Sequence, residues 1–79
     1  VPRYFFDIQD GSYTRDDVGV ECTDLQSVAM EAKKLLPTVA RDEVPKGGEH
    51  RAVTVLVTDE DGRAVYSAAL TYTGLWLLR

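Results

Sequence analysis

The segment Asp59-Glu60-Asp61-Gly62 sits between two runs of strand-forming residues and so decides which side chains share a face. Upstream, Arg51 to Thr58 reads Arg-Ala-Val-Thr-Val-Leu-Val-Thr; downstream, Arg63 to Tyr72 reads Arg-Ala-Val-Tyr-Ser-Ala-Ala-Leu-Thr-Tyr. Their β-branched and aromatic content marks both as strands. Asp59 can accept backbone hydrogen bonds at the start of a type I turn, Asp61 suits its third position, and Gly62 supplies the positive φ that follows. The expected connection is a three-residue loop with a glycine bulge, in which Asp59 faces Arg63. That register places Val53, Val55 and Val57 on one face with Val65, Ser67 and Ala69. Ala52, Leu56, Ala64, Tyr66, Ala68, Leu70 and Tyr72 then share the other. A two-residue loop would shift the pairing by one and move the second strand's side chains to opposite faces.

The N-terminal half supplies the rest of the sheet and a helix. Pro2 to Gln9 alternates as a first strand, with Tyr4, Phe6 and Ile8 on one side and Arg3, Phe5, Asp7 and Gln9 on the other. Asp10-Gly11 ends it as a turn, and Val18 to Cys22 is expected as a short second strand with Val18, Val20 and Cys22 inward. Thr23 or Asp24 caps a helix. Leu25, Val28, Ala29, Ala32, Leu35, Leu36, Val39 and Ala40 recur with the spacing of one buried stripe. Pro37 removes a backbone donor inside that pattern, so a kinked helix, or one restarting at Pro37, is expected. Val44 to Glu49, with Pro45, Gly47 and Gly48, reads as a loop. The expected fold is α+β: a small antiparallel sheet in β-β-α-β-β order, one kinked helix on one face.

At 79 residues the chain has room for one domain, and a domain of that size buries only about 60–65% of its unfolded surface. The single cysteine, Cys22, rules out an internal disulfide and fits a reducing cytoplasm. No apolar run approaches the roughly 20 residues that cross a bilayer, and Val1 to Asp10 lacks the pattern of a secretory leader. A net charge of −4 with scattered lysines and arginines argues against nucleic acid.

The opening Pro2-Arg3-Tyr4-Phe5-Phe6-Asp7-Ile8 with Asp10-Gly11 carries a resemblance, as do Asp16 with Gly19, Asp24-Leu25 followed by Ala29 and Ala32, and Val55 to Gly62. The chain resembles a family of short uncharacterised, chiefly alphaproteobacterial proteins, grouped as a domain of unknown function. The resemblance spans nearly the whole chain and implies a soluble bacterial cytoplasmic protein. It supplies no catalytic residues to carry over.

No constellation on the chain meets the requirements of a chemical site. A calcium loop built on Asp59-x-Asp61-Gly62 would need ligands where Val57 and Ala68 stand, and the same test on Asp10-Gly11 puts Phe6 and Ile8 at ligand positions. One histidine and one cysteine, His50 and Cys22, do not form a transition-metal set, and nothing in the spacing brings them together as base and nucleophile. Gly47-Gly48 opens no helix and lacks the context of a phosphate loop. Catalytic, cofactor-binding and metal-binding residues are therefore expected to be absent, as is a small-molecule substrate.

What remains is a surface. If Tyr4, Phe6, Ile8, Val53, Val55 and Val57 face the helix, then Phe5, Leu56, Tyr66, Leu70 and Tyr72 face away from it, and Trp76 in the tail Leu75-Trp76-Leu77-Leu78 can join them. Either the tail folds back over that face, or the face meets another protein, most simply a second copy, since monomers seldom expose contiguous apolar patches beyond a few hundred Å². The expected role is a non-catalytic interaction or regulatory module that forms a homodimer. The alternative is a monomeric acidic binding protein or inhibitor for a different partner.

Overall fold

In the computed structural model, residues 1–78 are described. Five strands and one helix follow in the order β1 (Arg3–Gln9), β2 (Tyr13–Thr14), β3 (Val20–Glu21), α1 (Leu25–Glu43), β4 (His50–Thr58) and β5 (Ala64–Thr73). A 3-10 turn at Val44–Lys46 closes the helix where the sequence suggests only loop. The sheet is antiparallel in the order β2-β1-β4-β5, with β3 also pairing to β1. Because β3 and β4 are both antiparallel to β1, they run parallel to each other, and a helix is the connection such a pair requires.

The helix begins at Asp24, whose extended backbone and carboxylate, accepting from the Ser27 N–H at 2.8 Å, form an N-cap. Val28, Ala32, Leu36 and Ala40 recur every fourth residue and are buried, whereas Leu25 at the start of the stripe is exposed. The helix runs on through Pro37 without a break. Its buried stripe packs against Phe6 and Ile8 of β1 and Val53, Val55 and Val57 of β4, with Cys22 completing the core. The inward face expected for β1 and β4 is the observed one.

The second strand differs from expectation. Pairing is confined to Val20–Glu21, a separate short strand forms at Tyr13–Thr14, and Val18 is 77% exposed, so only Cys22 of the three expected inward residues is buried. The cause is Asp16. Its carboxylate accepts from the N–H groups of Val18 and Gly19, both at 3.0 Å, and folds the chain into a turn that Gly19 completes at φ +78°.

The β4–β5 hairpin closes as its residues require. The Asp59 N–H donates to the Arg63 carbonyl at 2.9 Å, the Asp59 carboxylate accepts from the N–H groups of Asp61 and Arg63, and Gly62 has φ +82°. The register then slips. Thr58 pairs with Ala64 but Val57 pairs with Tyr66, so a bulge at Val65 moves every later β5 residue by one. Val55 lies opposite Ala68 and Val53 opposite Leu70. Tyr66, Ala68, Leu70 and Tyr72 are therefore on the helix side of the sheet, contrary to the register read from the turn alone. Apolar burial explains the choice, since this register packs Tyr66 and Ala68 against the core and leaves the Ser67 hydroxyl in water.

Candidate interaction surface

The six residues singled out from the sequence do not share a face. Phe5 and Leu56 lie on the side of the sheet away from the helix, where Leu56 stands between Asp7 and Ser67. Tyr66, Leu70 and Tyr72 lie on the helix side, and Trp76 is in the tail. No contiguous apolar patch forms on the open face, because its other positions on β4 and β5 are His50, Ala52, Thr54, Thr58, Ala64, Ser67, Ala69, Thr71 and Thr73. The one-residue slip at Val65 is the reason for Tyr66, Leu70 and Tyr72.

Tyr66, Leu70, Tyr72 and Trp76 have a different relation: all belong to the last strand and the segment that leaves it. Helix α1 lies against β4 and β5 and reaches the inward side chains of β1, yet Leu70 and Tyr72 remain 41% and 46% exposed. The tail does not fold back over either face. Leu75, Trp76, Leu77 and Leu78 are all at least three-quarters exposed. The effect on the molecule is measurable. It exposes 5809 Å², about 1,000 Å² more than the roughly 4,800 Å² expected for a folded monomer of its mass. Its radius of gyration is 14.4 Å, against about 12 Å for a compact domain of this length.

Strand β5 is also a free edge, paired to β4 on one side and to nothing on the other among the described residues. Proteins normally blunt such an edge with charge or proline. Here the chain from Ala64 to Leu78 contains neither. The ladder geometry tells which backbone groups face outward. The Gly74 N–H donates to the Glu49 carbonyl, and alternation from that bond directs the N–H and C=O groups of Tyr72, Leu70, Ala68 and Tyr66 toward β4. Those of Ser67, Ala69, Thr71 and Thr73 face the open edge. Sequence reasoning passed over these small residues, and the signal that marks them is the uncharged run itself.

A second feature lies at the hairpin end of the open face. Phe5, Asp7, Arg15, Asp16, Asp17, Asp59 and Glu60 are among the residues that line a hollow of about 430 Å³. Most of these acids are engaged by the chain's own groups. Asp7 accepts from the Tyr13 hydroxyl at 2.6 Å and from the Asp16 N–H at 2.9 Å, and Glu60 accepts from the Arg3 N–H at 3.2 Å. The hydrogen bond to Asp7 is the main reason that the Tyr13 phenol is pushed above its ordinary pKa. Among the described residues, no group of His, Cys, Asp and Glu is arranged to hold a metal ion.

Cys22 and His50 are at opposite ends of the sheet. The Cys22 N–H donates to the Pro2 carbonyl beside the start of β1, which lies against the end of β4, whereas His50 opens β4 and meets the Thr73 hydroxyl at 3.2 Å. Burial, reinforced by Glu31 and Asp24, pushes the Cys22 thiol up and keeps it protonated. Arg51 is a residue whose place was not legible in sequence. Its guanidinium donates to the Asp10 carbonyl and faces Glu43 at 3.6 Å, joining the turn after β1 to the end of the helix.

Residues 3–71 match the model of a domain of unknown function, DUF6894. No curated protein and no solved structure matches the chain.

Proposed function

Since the chain belongs to the DUF6894 family, a domain of unknown function, we propose its role from its own surface: a non-catalytic interaction or regulatory module that self-associates as a homodimer. The observation that carries this reading is the roughly 1,000 Å² of surface beyond that of a folded monomer, together with the exposed apolar side chains Leu70 and Tyr72 of β5 and Leu75 to Leu78 of the tail. A standard protein–protein interface takes about 800 Å² from each partner, so the excess is of the size that one interface removes. The resemblance to bacterial proteins, the lone buried thiol and the absence, among the described residues, of any helix long and apolar enough to cross a membrane fit a small bacterial cytoplasmic protein. Nucleic acid is a poor partner for a chain of net charge −4 with dispersed cations.

Absence of catalysis rests on the site chemistry. The one thiol is protonated and buried, the one imidazole is at the other end of the sheet, and the acids of the hollow serve backbone groups. Sedimentation equilibrium tests the reading: a mass near twice 8.8 kDa is expected at micromolar concentration, and a strict monomer rejects it.

The acid-lined hollow around Phe5 favours a second reading, a monomeric module that receives a lysine or arginine side chain of a different protein. Titration with a short arginine-rich peptide, followed by the amide signals of Asp16 to Gly19, tests it. Saturable shifts that vanish in the Asp17→Asn, Glu60→Gln variant are expected under this reading alone.

A further inference from the structure

We propose that two copies join through the free edge of β5, pairing antiparallel about a two-fold axis at Ala69 to make one continuous sheet with both helices on the same side. The proposal rests on the self-association reading and specifies its surface, which is a strand edge and not the sheet face that the sequence suggested.

Geometry narrows the arrangement. A two-fold axis that brings two copies of one sheet edge together antiparallel stands perpendicular to the sheet, so each β5 residue meets a partner residue from the same face. Beyond the bulge at Val65 the regular stretch of β5 runs from Tyr66, and Ala69 is the midpoint of Tyr66 to Tyr72. With the axis there, Ser67 lies opposite the second copy's Thr71, so the outward backbone groups of Ser67, Ala69 and Thr71 all gain partners. On the helix side, Tyr66 meets Tyr72 of the second copy and Ala68 meets Leu70, which are aromatic and aliphatic cross-strand pairs of the kind that stabilise sheets. The half-exposed Leu70 and Tyr72 are covered by this contact.

Charge selects a second copy over other occupants. Two molecules of net charge −4 repel, and they approach with least cost along a segment that carries no charge. The uncharged run from Ala64 to Leu78 spans the whole edge and continues as far as Leu78, the residue before Arg79. A partner recruited by electrostatic attraction would find a carboxylate only at the far end of that edge, where Glu49 lies beside Gly74.

Two double variants test register and surface together. Ser67 and Thr71 are exposed on the open face opposite Leu56 and Ala52 of the same chain, so charges placed there leave the monomer fold intact. In the Ser67→Lys, Thr71→Lys variant, lysines oppose lysines across the two-fold, twice. The dimer dissociation constant is expected to rise roughly tenfold or more, with the far-ultraviolet circular dichroism unchanged. In the Ser67→Lys, Thr71→Glu variant each lysine opposes a glutamate, and the constant is expected to return to within a few-fold of the wild type. Dimers whose affinity is the same in the wild type and both variants overturn the edge proposal while leaving self-association standing. A wild type that stays monomeric rejects both.

Discussion

The Asp16 carboxylate accepts a hydrogen bond from the Phe6 N–H at 3.1 Å, and so fills a gap in the ladder of β1 between its pairings with β2 and β3. The same carboxylate serves Val18 and Gly19. Burial opposes its ionisation, but the N–H groups of Gly19, Phe6 and Val18, with Arg3 nearby, outweigh that and hold it below the usual carboxylate range. Replacing Asp16 by Ala is expected to cost about 2 kcal/mol, because three backbone donors lose an ionised acceptor. Urea unfolding measures it. Since the folded pKa is the lower one, the stabilisation is complete above the unfolded value of about 3.9 and is lost as the pH falls through the folded value. The wild type should therefore lose more stability than Asp16→Ala as the pH is lowered through the carboxylate range.

Val55 is fully buried at the centre of β4, opposite Ala68 and under the helix stripe. Val55→Ala leaves a cavity that small neighbours cannot fill, and a loss of about 2–3 kcal/mol is expected. For a domain with roughly 5–10 kcal/mol to spare, that lowers the urea midpoint substantially while the dichroism of the native state is kept.

Cys22 is 3% exposed and its thiol is held protonated by burial. In native buffer near neutral pH it should react with an aromatic disulfide reagent far more slowly than free cysteine, and at the free-cysteine rate in urea. A fast native reaction would show the core at the β3–α1 junction to be open.

The register after the bulge has its own spectroscopic signature. Non-hydrogen-bonded antiparallel pairs bring Cα atoms to about 4.5 Å, so strong contacts between the α-protons of Leu56 and Ser67, and of Thr54 and Ala69, are expected in nuclear Overhauser spectra. Contacts of Leu56 with Tyr66 instead would restore the unbulged register.

Those contacts also mark the boundary of what the residues alone disclose. The helix, a cap at Thr23 or Asp24, the inward faces of β1 and β4 and the turn from Asp59 to Arg63 were all legible, because each follows from local chemistry: a spacing, a capping oxygen, a glycine with positive φ. The slip at Val65 was not, since it arises where the preference of Tyr66 and Ala68 for the core overrides the register that the turn sets. Moving one residue out of the ladder sent Tyr66, Leu70 and Tyr72 to the face opposite Leu56 and dissolved the expected patch. The turn at Asp16 was hidden for a similar reason. Val18 and Val20 alternate like one strand, and only a carboxylate reaching back across the sheet to Phe6 shows that Val18 belongs to a turn instead. The free edge of β5 depends on strand order, which no local pattern reveals, although the uncharged run from Ala64 onward was in plain view.

Hydrogen exchange at the outward amides of β5 probes the edge pairing most directly. In a dimer joined at Ala69, the amides of Ser67, Ala69 and Thr71 are hydrogen-bonded to the second copy, and their protection should rise with protein concentration toward that of Ala68 and Leu70, which are bonded to β4 at every concentration. Exchange of Ser67, Ala69 and Thr71 at fast rates that do not change with concentration, in a sample that sediments as a dimer, would contradict the pairing.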